Sequence, residues 1–305
     1  MKTVLLIDAF AVIFRAFHGL PDFTAPDGSH VNAVYGFFST FLKAVRELHP
    51  DYVVVGFDSP WPTLRHKEFE DYKAQRPEPP PSLSEQFPLV EELVKSMGIP
   101  LLIHEGYEAE DLLATVIAKT DKENLQYIIV TGDRDTLQLA NDKVKIYFLR
   151  RGLADTELVD GRKVVEMFGV TPHQVIDVKA LAGDASDNIP GIRGIGEKTA
   201  VALVQQFGGV EGIYQSIDRL PARPGRLLEG AKQQALANKL LVTIRRDAPI
   251  AVDLKNFSWQ DERLQRALPL LTRFHMKSLI KRVAAPPETP PAKEAPKRPT
   301  QEPLL

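Results

Sequence analysis

The sequence TVLLID at residues 3–8 is a short apolar run that stops on a carboxylate. DYVVVGFD at 51–58 and YIIVTGD at 127–133 repeat the construction. Runs this short and this apolar suit strands buried on both faces of a sheet. Helical patterns separate them. Phe10, Phe14 and Phe17 follow the first run, and residues 31–48 carry Val34, Phe37, Phe38, Phe41, Leu42 and Val45 at helical spacing. Residues 84–97 and 109–120 also read as helices, with short strands at 100–103 and 144–149. Strands alternating with helices imply an α/β protein, its mainly parallel sheet covered by helices on both faces.

Asp8, Asp58, Asp133 and Asp135 fall at or just beyond strand ends, the edge where open α/β sheets bind ligands. Glu108, Glu110 and Asp111 open the helix that starts at the same edge, and Glu108 and Asp111, three apart, share a helical face. Any one of these acids alone reads as a turn or helix cap. Together they are too many like charges to share a crevice without a neutralising cation. An oxygen-only donor set favours a hard cation, Mg²⁺ with Mn²⁺ as substitute, and two such ions are a known device for hydrolysing phosphodiesters. Asp184 and Asp187, in the loop GDASDN, are two further candidates.

Two other segments suit nucleic acid. WPTLRHKEFEDYKAQRPEPPP (61–81) leaves the sheet directly after Asp58 and interleaves Arg65, His66, Lys67, Lys73 and Arg76 with Phe69 and Tyr72. It reads either as a solvated surface helix or as a mobile basic segment that holds phosphates and stacks bases. NIPGIRGIGEKTAVALVQQFG (188–208) places Gly191, Gly194 and Gly196 in a turn before a helix that begins near Glu197, with Lys198 and Thr199 in its first turn. Backbone N–H groups at such a start suit a DNA phosphate and read no bases.

The 305 residues include no Cys, which excludes disulfides, thiolate metal sites and a cysteine nucleophile. No apolar run approaches a membrane span, and the first residues do not form a signal peptide, so cytoplasmic residence is the simplest expectation. The formal net charge of −2 predicts no strong polyanion binder, but acids neutralised by metal would leave a positive remainder. An aspartyl-nucleophile phosphatase would need DxDxT after the first strand; Asp8-Ala9-Phe10 stands there instead. From residue 284 the chain turns to AAPPETPPAKEAPKRPTQEPLL, with seven of its 24 prolines, and reads as a disordered, polyproline-like tail.

In order along the chain, LIDA, NAVYGF, FD, RH, YKAQRP, GYEAED, GDRD, LAGDASDNIPG and GIGEKTA resemble the 5′-nuclease domain of bacterial DNA polymerase I, within the flap-endonuclease superfamily. The resemblance runs from Thr3 to about Asp253 and weakens after it. It implies a PIN-like catalytic domain over 1–160 with a helical arch at 61–83. A helical region over 161–258 follows, with a helix–hairpin–helix at 188–208, then C-terminal helices at 259–283. It implies two Mg²⁺ ions held by the nine acids, Lys73 and Arg76 at the scissile phosphate, and Arg15, Arg65 and Tyr72 on DNA. A K⁺ ion is implied for the helix–hairpin–helix. The implied activity is 5′→3′ exonuclease and flap endonuclease on 5′ ends, nicks and flaps, with RNA primer–DNA hybrids as further substrates. A monomer is expected, with a polymerase module or partner met through the tail; a free-standing nuclease is slightly the simpler reading of that tail. Two residues depart from the pattern. Glu110 stands where Asp is usual, and Phe14 where Tyr is common. The alternatives are a non-catalytic DNA-binding module, which would lack several acids, and a PIN-type ribonuclease, which would not need the arch or GIGEKTA.

Overall fold

The structure, a computed structural model, describes residues 1–121 and 124–285. Strand β1 (Lys2–Asp8) is followed by helices α1 (Ala9–Gly19) and α2 (Asn32–Leu48), then β2 (Tyr52–Gly56). The next segment holds α3 (Leu64–Glu68) and α4 (Pro81–Ser84), and α5 (Gln86–Ser96) leads to the two-residue β3 (Leu101–Leu102). Helix α6 (Ala109–Thr120), β4 (Leu125–Thr131), β5 (Val144–Arg151) and β6 (Asp155–Val159) complete the sheet. Its order is β3-β2-β1-β4-β5-β6, parallel throughout except for β6. The chain moves from β1 outward through β2 and β3, then returns to β4 on β1's other side. That reversal opens a crevice at the carboxyl ends of β1, β2 and β4.

Alternation along each strand divides the core. Leu5, Ile7, Val53, Val55, Ile128 and Val130 point into one apolar cluster with Phe37, Phe38 and Phe41 of α2. Val4, Leu6, Val54, Tyr127, Ile129 and Ile146 point into a second cluster, which α6 and the helical half share. Helix α2 has no cap of its own, and the buried Gln86 of α5 supplies one: its Oε1 accepts from the N–H groups of Ala33 (2.8 Å) and Val34 (3.3 Å). This satisfies donors a buried helix start would otherwise leave unpaired.

The helical half comprises α7 (Gly161–Phe168), α8 (Pro172–Ala182), α9 (Glu197–Phe207), α10 (Val210–Gln215), α11 (Ala222–Leu228) and α12 (Lys232–Val242). Short α13 (Leu254–Phe257), α14 (Leu268–Arg273) and α15 (Lys277–Ala284) follow, and α14 and α15 pack on the α2 face. Helix α9 begins at Glu197, where the glycine-rich turn predicts it. Three elements differ from the sequence pattern. Strand β6 has no counterpart in it. Asp184 lies in a small hairpin, β7 (Gly183–Asp184) with β8 (Ile189–Pro190), inside a stretch that reads as strandless. Within the expected helical arch at 61–83 the helices are the five-residue α3 and the start of α4, and between them 69–76 folds in turns onto the sheet edge. The tail lies, from residue 286, outside the described residues.

Gly183 closes that hairpin at φ +86°, and a Cβ there would sit 2.4 Å from the Gly191 nitrogen. Gly196 has open space around it and an ordinary φ of −94°. Gly183→Ala is therefore expected to destabilise the protein by at least about 1–3 kcal/mol, the cost of a glycine-only conformation, while Gly196→Ala leaves the unfolding midpoint near the parent's. Urea denaturation of both variants checks the pair.

Candidate active site

Asp8 ends β1 and caps α1. Its Oδ1 accepts from the Ala11 N–H (3.1 Å) and its Oδ2 from the Thr131 hydroxyl (2.8 Å), which ties it to the end of β4. Asp58, two residues past β2, accepts the Ala109 N–H at 2.7 Å and so fixes the start of α6. Past β4, the Asp133 side chain accepts the Asp135 N–H at 2.9 Å. Strand ends therefore bring these acids together, as the sequence predicts.

The group is electrostatically frustrated. Burial first, then the Asp58 charge, pushes Asp8 up to about 7. Burial and Glu108 raise Asp58 to about 6, and burial and Asp133 raise Asp135 to about 7. Glu110 is raised well above its ordinary range by burial and Glu108. Among the described residues, no three acids or histidines stand ready to hold a metal ion as they are placed. Cationic side chains from other elements reach in among them instead, each lowering the cost of a neighbouring carboxylate charge.

Burial alone would raise Glu108, but Lys73 and Arg65 more than offset it and hold the carboxyl at about 2. Lys73 Nζ lies 2.6 Å from Glu108 Oε1, and Arg76 Nη2 lies 2.6 Å from Asp187 Oδ1. Lys179, on α8, bridges Asp135 and Asp184, 2.6 Å from the latter's Oδ2. Sequence reasoning missed Lys179. A lysine in the last turn of a helix ordinarily reads as a partner for the helix dipole, and only the fold shows that it faces two acids.

The segment expected to reach away over the site instead lies down on it. Lys73 adopts a left-handed φ of +55°, and its N–H donates to the Asp187 carbonyl at 3.0 Å. The Asn188 amide donates to the Asp71 carbonyl (2.7 Å), the Gln75 amide to that of Ala185, and Arg76 Nε to that of Ser186 (3.2 Å).

Four sequence assignments change with this geometry. Tyr72, expected to stack on DNA, is 2% exposed and donates its hydroxyl toward Glu108 Oε2 (3.1 Å) and Asp187 Oδ2 (3.0 Å). Burial and these acids push its ionisation far up, so it remains a donor. Arg65, also assigned to DNA, is 3% exposed and forks onto Asp111. Asp111, assigned as a metal ligand, is fully buried. Its Oδ1 accepts from Arg65 and the Arg245 N–H, and its Oδ2 from Arg65 and the Glu108 N–H, so each oxygen already accepts two hydrogen bonds. Gly191 is a packing glycine: a Cβ would meet the Ala182 carbonyl oxygen at 2.2 Å. Arg15, half-buried, donates to the carbonyls of Arg150 (2.6 Å) and Gly132 (3.1 Å) and so braces the loop before Asp133. Gly194, Gly196 and Lys198 are exposed at the turn and Thr199 is half-buried beside them.

A mainly parallel sheet with a row of acids at its switch point is the fold and site that the comparisons meet. The model of the 5′-3′ exonuclease N-terminal resolvase-like domain matches residues 3–169, and that of the 5′-3′ exonuclease C-terminal SAM fold matches residues 170–265. The chain belongs to the 5′-3′ exonuclease family. It is 40% identical to DNA polymerase I of Bacillus caldotenax over 286 residues, 93% of this chain and 33% of that protein. With DNA polymerase I of Bacillus subtilis it shares 38% over 283 residues, 92% of this chain and 32% of that protein. The chain thus spans about a third of the length of these relatives. In fold it matches a bacteriophage T5 flap endonuclease, solved as a complex with DNA and metal ions. The TM-score is 0.65 at 22% identity, covering 93% of this chain and all of that one. No helix among the described residues is long and apolar enough to cross a membrane.

A carboxyl that binds its proton more tightly when folded contributes stability that disappears as pH rises past its folded value. In EDTA the unfolding midpoint is therefore expected to fall as pH rises from about 4 to about 7, through the raised values of Asp8, Asp58 and Asp135. Asp8→Asn should flatten this slope. Calorimetric scans across that range test it, and an identical slope in the variant contradicts it.

Proposed function

We propose that the chain is a divalent-metal-dependent 5′-nuclease that hydrolyses DNA phosphodiesters at 5′ ends, nicks and 5′ flaps. The observation that carries this reading is the frustration of the acid row. Asp8 is buried and Asp58, Glu110 and Asp135 are half-buried, and all four are crowded and raised in pKa despite three neighbouring cationic side chains. An all-oxygen set of this kind fits hard divalent cations, Mg²⁺ foremost and Mn²⁺ as substitute. When bound, such ions activate water and stabilise charge on the leaving oxygen. Asp8, Asp58, Glu108, Glu110, Asp133, Asp135, Asp184 and Asp187 are the residues that would hold them.

Lys73 and Arg76 lie against Glu108 and Asp187, so cations bound there would release both side chains toward a phosphate. There they would stabilise the developing negative charge. The turn at Gly194 and Gly196 and the start of α9 would hold duplex backbone through N–H groups and Lys198, so that binding follows shape rather than base sequence; a K⁺ ion among the turn carbonyls belongs to the same reading. RNA primer–DNA hybrids are proposed as further substrates, and the chain as a cytoplasmic monomer. The relatives' threefold greater length supports its working beside a polymerase module, in the same polypeptide or as a partner.

Asp58→Ala and Asp187→Ala are expected to lower flap cleavage in Mg²⁺ by at least about 100-fold, the upper end of what changes around metal ligands cost, with duplex binding retained. Labelled flap, nicked duplex and single-stranded RNA are the substrates to compare. Parent-rate cleavage by either variant overturns the ligand assignment, and preferential RNA cleavage favours a ribonuclease. Lys198→Ala should weaken duplex binding equally for unrelated sequences and reduce the slope of log affinity against log salt by about 0.9, one phosphate contact. Filter binding over a salt series reads both.

A further inference from the structure

Arg65 takes no part in the chemistry proposed above, yet it is among the most heavily engaged side chains of the protein. Its Nη1 donates to Asp111 Oδ2 (2.7 Å) and Glu108 Oε2 (3.1 Å), and its Nη2 to Asp111 Oδ1 (2.9 Å). On the other side Nε donates to the Leu241 carbonyl (2.9 Å) and Nη2 to the Thr243 carbonyl (2.9 Å). These carbonyls lie at the end of α12, where helical acceptors need outside donors. One buried guanidinium thus joins the helix that delivers Glu108 to the end of a helix from the opposite half.

Other side chains of that helix point the same way. Asn238 of α12, 3% exposed, donates to the carbonyl of Ala180 (2.9 Å), just before the hairpin that carries Asp184, and to that of Pro190 (2.6 Å), within it. Gln234 donates to the Gly191 carbonyl at 3.3 Å. Helix α12 is therefore a strut: side chains along it hold the Asp184 hairpin and the glycine turn, and its C-terminal end is fastened through Arg65 to Glu108.

We propose that Arg65 is a positioning residue for the nuclease site, and that Asp111 serves as its buried counter-charge rather than as a metal ligand. This rests on the metal-site reading above. Two carboxylates and two carbonyls at fixed angles require a planar fork; a lysine ammonium keeps the charge but cannot span them. Asp111 takes both arms of the fork, and its Oδ2 also accepts the N–H of Glu108, so the Glu108 backbone is held by the acid that neutralises Arg65. Without Asp111, the full charge of Arg65 would fall on Glu108 and compete with any cation there. Without Arg65, Asp111 becomes an uncompensated buried charge beside Glu108.

Arg65→Ala risks unfolding for that last reason, so Arg65→Lys and Asp111→Asn are the informative variants. Mn²⁺ affinity of the metal-free protein is measured by calorimetry, and duplex affinity separately in EDTA. Arg65→Lys is expected to weaken Mn²⁺ binding about 10–100-fold, as loss of a ligand-orienting partner does, with duplex affinity unchanged. Asp111→Asn should weaken it too, and the double variant should lose little more than the worse single one, since both act through the same contact. Additive losses would make Asp111 a ligand in its own right and overturn the counter-charge role. Parent Mn²⁺ affinity in Arg65→Lys, or a loss of duplex affinity as large as the metal loss, overturns the positioning role. A parent protein that binds Mn²⁺ with this dependence on Arg65 but cleaves no DNA would defeat the nuclease reading and leave this one standing.

Discussion

Like charge confined in one crevice is the constraint on which the rest of this structure depends. A parallel sheet gathers the ends of β1, β2 and β4 at its switch point, and each of these strands delivers an aspartate there. Burial raises the cost of every charge, and proximity raises it again. Protonation relieves part of it, as the raised values of Asp8, Asp58 and Asp135 record. Lys73 and Arg76, from the segment after β2, and Lys179, from α8, relieve another part.

This explains why the segment after β2 lies down on the site. Its basic residues find concentrated negative charge within reach, and the hydroxyl of Tyr72 finds two carboxylates that need donors. The loop at 185–188 offers its carbonyls along the same path. The arrangement suits a protein whose acids receive other cations later, because the contacts holding the segment down are those that such cations would replace. Arg65 and Asp111 differ from the rest. Both are buried and satisfy each other, so they would remain a fixed part of the scaffold if cations displaced Lys73 and Arg76 from the neighbouring acids.

How much of this is legible in the sequence follows from the same physics. TVLLID, YVVVG and YIIVT are plain because strands buried on both faces leave no other reading of such short apolar runs, and their terminal acids come with them. Strand β6, DTELV at Asp155–Val159, escapes notice because it is polar and half-exposed at the sheet edge and so lacks an apolar run. Lys179 is hidden because helical period shows which residues share a face but not which acid another loop brings to it. Arg65 and Tyr72 are misplaced for a related reason: a charged, aromatic, proline-bounded segment resembles a surface, and only three-dimensional crowding of acids explains why it turns inward. Asp111 cannot be told from Glu108 and Glu110 by spacing, since what sets it apart is taking both arms of a guanidinium supplied from 46 residues away.

The central claim is that the acids at the sheet edge are a divalent-cation site now countered by the protein's own cationic side chains. Anomalous diffraction from crystals soaked in Mn²⁺ tests it most directly. The account predicts anomalous peaks within coordination distance of Asp8, Asp58, Glu108 and Glu110, with Lys73 displaced from Glu108 and the Arg65–Asp111 fork unchanged. Crystals that show no peak at these carboxylates, with Lys73 still paired to Glu108 at saturating Mn²⁺, would contradict it.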